Sequence, residues 1–594
     1  MKSIIKYTFS IILIVFTFNL KAQITTTLST NRNKTDLDIG FNRRSDKGIW
    51  WTDNTFIDRL AEMNPDILRY PGGTQANYWD WTTGKFLDST NKTWNNKEVL
   101  HIPEFLNALP NRTKVIYVVN MARPTPATGI SVNASEEILK SNATLNAKIQ
   151  DMLNAIAEFE INGKLPYAIE LGNEFFFGNE ESGIFQITEE SDGWHSGWDY
   201  ANNQSFVSVN NKNATEINAK FYLDQCKDIV STINSVYPSI KFALVASKKG
   251  NGNSVRDRWN NTIFDELTSN PKYTNLQSHI YAITQHHYLS TNYGDQTVIF
   301  DNTSAKVAIA EGIQYPIDKQ EDYDIIPNNY KIWYTEYGIS KNNAVETWAT
   351  ALRYGALIIS WLNRGDKVGQ LDYHYVSKND VIKTGSPMKL APIGIAAKLF
   401  ALASGDMSEM QEIIFNNNPI SVNGIKSLYG YKFKNNEKET LFIININNSD
   451  LQVETSNLFT YNGQYTKTQY YSNAPYISSV YLGHSNIISN ISSVNTNSFT
   501  AKNFSITTIE VANSELSTED NNIDKISVYP NPVTNIILID TPIITSKNIV
   551  LIDISGKEVS VYVNKTNNSI DVSDLKAGIY FLKTKHKIIK IIKL

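Results

Sequence analysis

Tyr167-Ala-Ile-Glu-Leu-Gly-Asn-Glu174 is an apolar run that closes on an acidic side chain, and Lys331-Ile-Trp-Tyr-Thr-Glu336 repeats the arrangement 162 residues on (336 − 174). Short runs rich in β-branched and aromatic residues read as buried strands. Working outward, comparable runs occupy 37–41, 67–70, 114–120, 242–246, 280–285 and 370–374, so the two opening stretches become strands four and seven of eight. Amphipathic stretches at 56–63, 143–161, 219–236 and 345–362 lie between them. Strand and helix in alternation imply parallel βαβ units, and eight of them predict a (β/α)8 barrel over residues 23–410.

The rest of the chain reads differently. Residues 411–512 are short alternating strands with Asn-rich turns, which predicts an all-β sandwich packed on the barrel; an early strand at 24–30 is a candidate member of it. Residues 513–524 are polar and acidic, as in a linker, and 525–594 form a further small β unit. At the front, Lys2 and Lys6 precede the apolar stretch 9–18 and a small residue, Ala22, which predicts a signal peptide over 1–22. No later segment is apolar enough to span a membrane, so none is expected after signal cleavage. A net charge of −4 argues against nucleic acid as a partner. The single cysteine, Cys226, excludes an intrachain disulfide and a thiolate metal cage, and its helical surroundings predict burial.

Carboxylates at the C-terminal ends of barrel strands face the site where barrel enzymes do their chemistry. Either Glu alone is as well explained as a solvated strand end. Together, at strands four and seven, Glu174 and Glu336 suit glycosidic-bond cleavage by a carboxylate pair. The Phe175–Phe177 run would desolvate Glu174 and favour its protonated form, as a general acid needs. Flat aromatic faces stack on sugar rings. Candidates are Tyr78, Trp79 and Trp81 after strand two, Trp194, His195, Trp198 and Tyr200 in the insert 178–215, and Trp361 and His374 near strand eight. Lys248, Lys249 and Arg256 read as a solvated loop, with an anionic sugar as the alternative. There is no phosphate loop, no dinucleotide fingerprint and no metal-ligand spacing among the eight His, so neither cofactor nor metal is expected.

Two acidic strand ends, with Asn173 before the first, resemble the pattern of clan A retaining glycoside hydrolases. Leu68-Arg-Tyr-Pro-Gly-Gly-Thr74 is similar to the segment after strand two in family 51 α-L-arabinofuranosidases and in family 79, the heparanase and β-glucuronidase family. Gln285-His-His-Tyr288 resembles strand six of family 79. The likeness covers roughly residues 36–410. It implies Glu174 as acid/base and Glu336 as nucleophile, Arg69 keeping Glu336 ionised, Tyr288 orienting it, and Asn173 on the sugar 2-hydroxyl. His286 or His287 would meet substrate hydroxyls; neighbours on a strand diverge, so at least one should be packed away. Phe175-Phe-Phe-Gly178 departs from the relatives, where Pro often follows Asn-Glu. The tail motifs Ile526-Ser-Val-Tyr-Pro-Asn-Pro532, Val550-Leu-Ile-Asp-Ile-Ser-Gly-Lys557 and Leu575-Lys-Ala-Gly-Ile-Tyr-Phe-Leu582 resemble the C-terminal sorting domain of the Bacteroidetes type IX secretion system. That implies the secretion machinery as a partner and a secreted or surface-attached protein. The expected activity is retaining, endo-acting hydrolysis of a plant or algal polysaccharide. The alternatives are a non-catalytic carbohydrate-binding surface protein and a transglycosylase using the same residues.

Overall fold

The computed structural model describes residues 23–594 apart from 35, 44–50, 74–75, 77–78, 83, 87–100, 122–141, 175, 177–197, 200–203, 206–212, 251–254, 290–298, 340–345, 378–380, 384, 386–387, 462, 495–496, 514–527, 530, 540–548, 565–568 and 585–587. The expected signal peptide, all of the expected linker but Asn513, and Tyr78, Phe175, Phe177, Trp194, His195 and Tyr200 lie outside the described residues.

Eight parallel strands close on themselves: β1 (Asp38–Asn42), β2 (Ile67–Tyr70), β3 (Lys114–Val118), β4 (Ala168–Glu170), β5 (Lys241–Val245), β6 (Ile280–Leu289), β7 (Lys331–Ile339) and β8 (Val368–His374). Two strands run past their expected ends. β6 and β7 continue to Leu289 and Ile339 because they pair with each other to the rim, His286 opposite Glu336 and Tyr288 opposite Gly338. Between Trp333 and Tyr337, β7 also carries one residue more than either neighbour. Thr284 and His286 face Trp333 and Glu336 on one side, and Leu371 and Tyr373 face Tyr334 and Tyr337 on the other. Such a bulge re-aims side chains, and here adjacent residues, Thr335 and Glu336, both reach polar partners inside the barrel.

The interior is layered. Ile67, Ile116, Ala168, Ala243, Ala282 and Trp333 plug the lower end with apolar volume. Arg69, Glu170, Thr335, Gln370 and Asp372, all fully buried, fill the layer towards the mouth. Burial pushes the Asp372 carboxyl well above the usual range, and it accepts from Gln370.

The β-sandwich rests on the outer helices α1 (Trp348–Leu362) and α2 (Pro392–Ser404). Its main sheet runs Thr26–Leu28, β9 (Glu409–Phe415), β10 (Leu428–Lys434), β11 (Lys438–Asn445), β14 (Ser505–Ala512), β12 (Tyr465–Tyr471) and β13 (Ile488–Val494). Alternation along β11 divides the labour. Phe442 and Ile444 belong to the barrel's core, with Phe442 against Phe400 of α2 at 5.1 Å, while Leu441 and Ile443 join the sandwich's own core. Gly355 of α1 brings the helix against the sheet: a Cβ on it would stand in ordinary van der Waals contact with Ile444, at 3.5 Å, and with Phe442. Cys226 is buried in the helix Asn213–Val236, where burial pushes its thiol up and makes it inert.

Residues 514–594 form a separate compact unit. Two four-stranded sheets, one containing Ile536–Ile539 and Ser569–Asp571 and the other Ile549–Asp553, Gly578–Thr584 and Ile588–Lys593, enclose Val533, Ile537, Leu551, Ile570, Val572, Leu582 and Ile591.

Candidate active site

Glu336 sits in β7 at the barrel mouth with its side chain 7% exposed. Its Oε1 accepts from Arg69 Nη1 at 2.7 Å and from Asn42 Nδ2 at 3.0 Å, and its Oε2 accepts from the Tyr288 hydroxyl. His286 Nδ1 and His374 Nδ1 stand 3.7 and 3.5 Å from Oε2. Burial by itself would raise this carboxyl's pKa. Electrostatic attraction from His286, His374 and Arg69 and the Tyr288 hydrogen bond outweigh it and hold Glu336 far below the usual carboxylate range. Gly73, in the loop after β2, is required here: a Cβ on it would fall 2.1 Å from Glu336 Oε1.

Glu174 follows β4 on a turn, with Gly172 and Glu174 itself in the left-handed region (φ 90° and 51°). A non-glycine residue there costs about 1–2 kcal/mol and persists only where its surroundings hold it. His286 Nδ1 lies 2.8 Å from Glu174 Oε1, and the Glu174 side chain is 21% exposed. One oxygen of Glu174, His286 Nδ1 and one oxygen of Glu336 all lie within 4.8 Å of one another. Hydrogen bonds already bridge this set and the Arg69 cation adjoins it, so it reads as an acid–base cluster rather than a metal centre.

Arg69 joins the two halves. It is fully buried, with Nε and Nη2 on Glu170 at 2.5 and 3.1 Å and a second bond from Nη2 to Asn173 Oδ1 at 2.8 Å. Burial opposes its charge, but Glu170 and Glu336 keep the guanidinium protonated. Asn173 is 1% exposed.

The structure separates the two adjacent histidines. His286 faces the mouth. His287 points the other way, 1% exposed, against Tyr334, Trp361 and Tyr315; burial and the nearby cations Lys248 and Lys319 keep it neutral. It is a packed residue, not a sugar contact. Two further expectations need the same correction. Trp361 is fully buried in α1, its ring 4.0 Å from that of Tyr334, because α1 packs its whole circumference between barrel and sandwich. Trp79 is 2% exposed against Tyr70 and Tyr117, so the chain after β2 tucks it under the rim. Trp81 is half-buried and donates to Asp151 of the outer helix Asn142–Ile161. Trp198 belongs to a two-residue strand paired with Gln204–Ser205, and its side chain lies outside the described residues. His374, the other candidate near strand eight, borders Glu336 and stacks edge-on to Tyr288 at 5.7 Å. Lys249 is drawn away by Glu321, 2.5 Å from it, while Arg256 reaches Ser247 Oγ and lies over Phe176.

Sequence reasoning passed over Asn42, Gly73, Glu170 and Thr335. Glu170, Gly73 and Thr335 stood inside quoted motifs, but nothing local marks their partners. Asn42 carried no signal, because its contacts come from strands far away in sequence.

Residues 527–593 match the family model described as the secretion system C-terminal sorting domain, which marks the chain as secreted or displayed at the cell surface. No curated protein matches the sequence. Among solved structures, the α-L-arabinofuranosidase of Thermotoga maritima in complex with arabinose is similar with a TM-score of 0.54 at 14% identity, covering 82% of this chain and 99% of that one. The family 51 arabinofuranosidase of Xanthomonas axonopodis pv. citri, at 11% identity, and that of Bifidobacterium longum, at 12%, give the same TM-score and the same coverage of both chains. At such identities the likeness is one of fold: barrel and β domain together are those of these glycoside hydrolases. Among the described residues, no helix is long and apolar enough to cross a membrane.

Proposed function

We propose that this protein is a retaining glycoside hydrolase that cleaves a polysaccharide outside the cytoplasm. One observation carries the reading: two carboxylates with their nearest oxygens inside 4.8 Å, in unlike environments, at the mouth of a barrel. Retaining enzymes hold their carboxyl groups about 5–5.5 Å apart, and inverting ones about 6.5–9.5 Å to admit a water.

In this mechanism Glu336, kept ionised and aimed by Arg69, Asn42 and Tyr288, attacks the anomeric carbon. Glu174 delivers its proton to the departing oxygen as that bond breaks, leaving a glycosyl ester on Glu336. Glu174 then takes a proton from the water that attacks the ester, so the product keeps its configuration. Asn173, its Oδ1 turned to Arg69, would present its amide N–H to the 2-hydroxyl. His286 and His374 line the same mouth and are within reach of ring hydroxyls.

The fold neighbours are arabinofuranosidases, so arabinofuranosides are the first substrates to try, within a panel of plant and algal polysaccharides and matched aryl glycosides. Product sizing then separates endo from exo action. The ¹H NMR signal of the first-formed anomer decides the stereochemistry: a product of opposite configuration to the substrate would refute retention. Hydrolysis undiminished in Glu336→Gln would refute the nucleophile.

A further inference from the structure

Glu170 is the most deeply placed carboxylate of the site. It is fully buried, as is its partner Arg69, and it opens onto no solvent that a sugar could enter. A buried ion pair survives desolvation only when its bonding capacity is nearly filled. Glu170 meets that condition with three donors: Arg69 Nε on Oε2 at 2.5 Å, and Arg69 Nη2 and Thr335 Oγ1 on Oε1, each at 3.1 Å.

We propose that Glu170 is a positioning residue that aligns both carboxylates of the pair, through Arg69 on one side and through Thr335 and His286 on the other. This rests on the glycosidase reading above. In the first arm, Glu170 occupies the Nε–Nη2 edge of the guanidinium and so sets its plane. The second Nη2 hydrogen then reaches Asn173 Oδ1 at 2.8 Å, and Nη1 reaches Glu336 Oε1 at 2.7 Å. One side-on clamp thereby fixes the nucleophile and the 2-hydroxyl ligand together.

The second arm follows from counting hydrogens. A carboxylate ion-paired with Arg69 only accepts, so the single Thr335 hydrogen goes to Glu170. Towards His286 Nε2, 3.2 Å away, the Thr335 oxygen can then only accept, which places a hydrogen on Nε2. Nδ1 is thereby the atom that shares a proton with Glu174 Oε1 across 2.8 Å. Either the carboxyl donates to neutral Nδ1 or the imidazolium donates to the carboxylate; in both cases the line holds the one proton that the departing oxygen needs. The bulge in β7 makes the arrangement possible, since it lets Thr335 reach Glu170 while its neighbour Glu336 faces the sugar. The charged groups facing His286 are Glu336 on β7, Glu174 after β4 and Arg69 on β2.

The test compares Glu170→Gln, Thr335→Val and Thr335→Ser with wild type, each checked by thermal melting, on the best substrate from the panel. Glu170→Gln lowers kcat about 10²-fold with KM within about threefold, the size of effect expected when a reacting group is misplaced by about an ångström. Thr335→Val removes the acceptor for Nε2–H, so the alkaline limb of kcat/KM against pH moves down by roughly one unit, while Thr335→Ser restores it. A merely structural Glu170 would lower the melting temperature and leave the limb in place. Unchanged kcat and an unchanged limb in both Glu170→Gln and Thr335→Val overturn the proposal and leave the glycosidase reading standing. Should Glu170→Gln fail to fold, the Thr335 pair decides. A wild type inert on every glycoside overturns the glycosidase reading itself.

Discussion

Glu336 stands in a cage, with Arg69 and Asn42 on one oxygen, Tyr288 on the other and two histidines behind. Glu174 has one hydrogen-bonded side-chain partner among the described residues, His286, and three times the exposure. The same residue type has been placed where charge is stabilised from several sides and where it is tethered by a single proton-carrying ring. A nucleophile must be ionised and still; an acid/base must exchange its proton in each half-reaction. The proposed division of roles rests on this difference between the two sites more than on either strand end.

The largest effect that can break this division comes from Glu336→Gln, with kcat falling about 10⁴-fold or more on every substrate, however good its leaving group. Glu174→Gln loses about 10²–10⁴-fold on polysaccharide. It recovers most of its glycosylation rate on a dinitrophenyl glycoside, whose leaving group needs no proton. Steady-state and burst kinetics on the two substrate types measure this, and the reverse pattern would exchange the two roles.

Gly73→Ala sharpens the nucleophile's side of the comparison. Its Cβ would lie 2.1 Å from Oε1, so Glu336 or the loop must shift. A displacement of about an ångström lowers kcat by about 10²-fold, with melting changed less than activity.

His286 links the two halves, and its titration tests them together. Burial pulls its pKa down, but Glu336 first and Glu174 next raise it above 6.5. Its share of stability is thus complete below about pH 6.5 and fades as pH rises through the raised folded value. In Glu336→Gln the largest raising charge is gone, so the fade begins at lower pH. NMR titration of the His286 ring in the two proteins reads the shift, and coincident curves would contradict it.

The smallest effect on catalysis belongs to Trp361→Ala. Removing this buried ring destabilises the fold by about 3–5 kcal/mol, measured by denaturant melts, with KM unaltered. A raised KM would return Trp361 to the sugar site.

The barrel was legible because buried parallel strands must be apolar, and helices must separate them, whatever else the chain does. The sandwich was legible from its short apolar runs set between Asn-rich turns, whereas the facing of Leu441 and Ile443 to one core and of Phe442 and Ile444 to the other came from packing alone. Rim aromatics were misread for the same reason that core and sugar-binding tryptophans look alike: Trp79 and Trp361 are apolar rings near strand ends, and only packing decides which way they turn. His286 and His287 show it at the scale of one residue.

Composition and period along the chain determined the eight strands, the β domain, the separate tail and the two acidic strand ends, since those depend on which residues follow one another. Tertiary structure alone decided that Glu170, Thr335 and Asn42 converge on Arg69 and the two acids, that β7 bulges by one residue, and that Gly73 leaves room for an oxygen. Each of these joins strands distant along the chain, where a hydrogen bond is a matter of closed-barrel register and has no local signature.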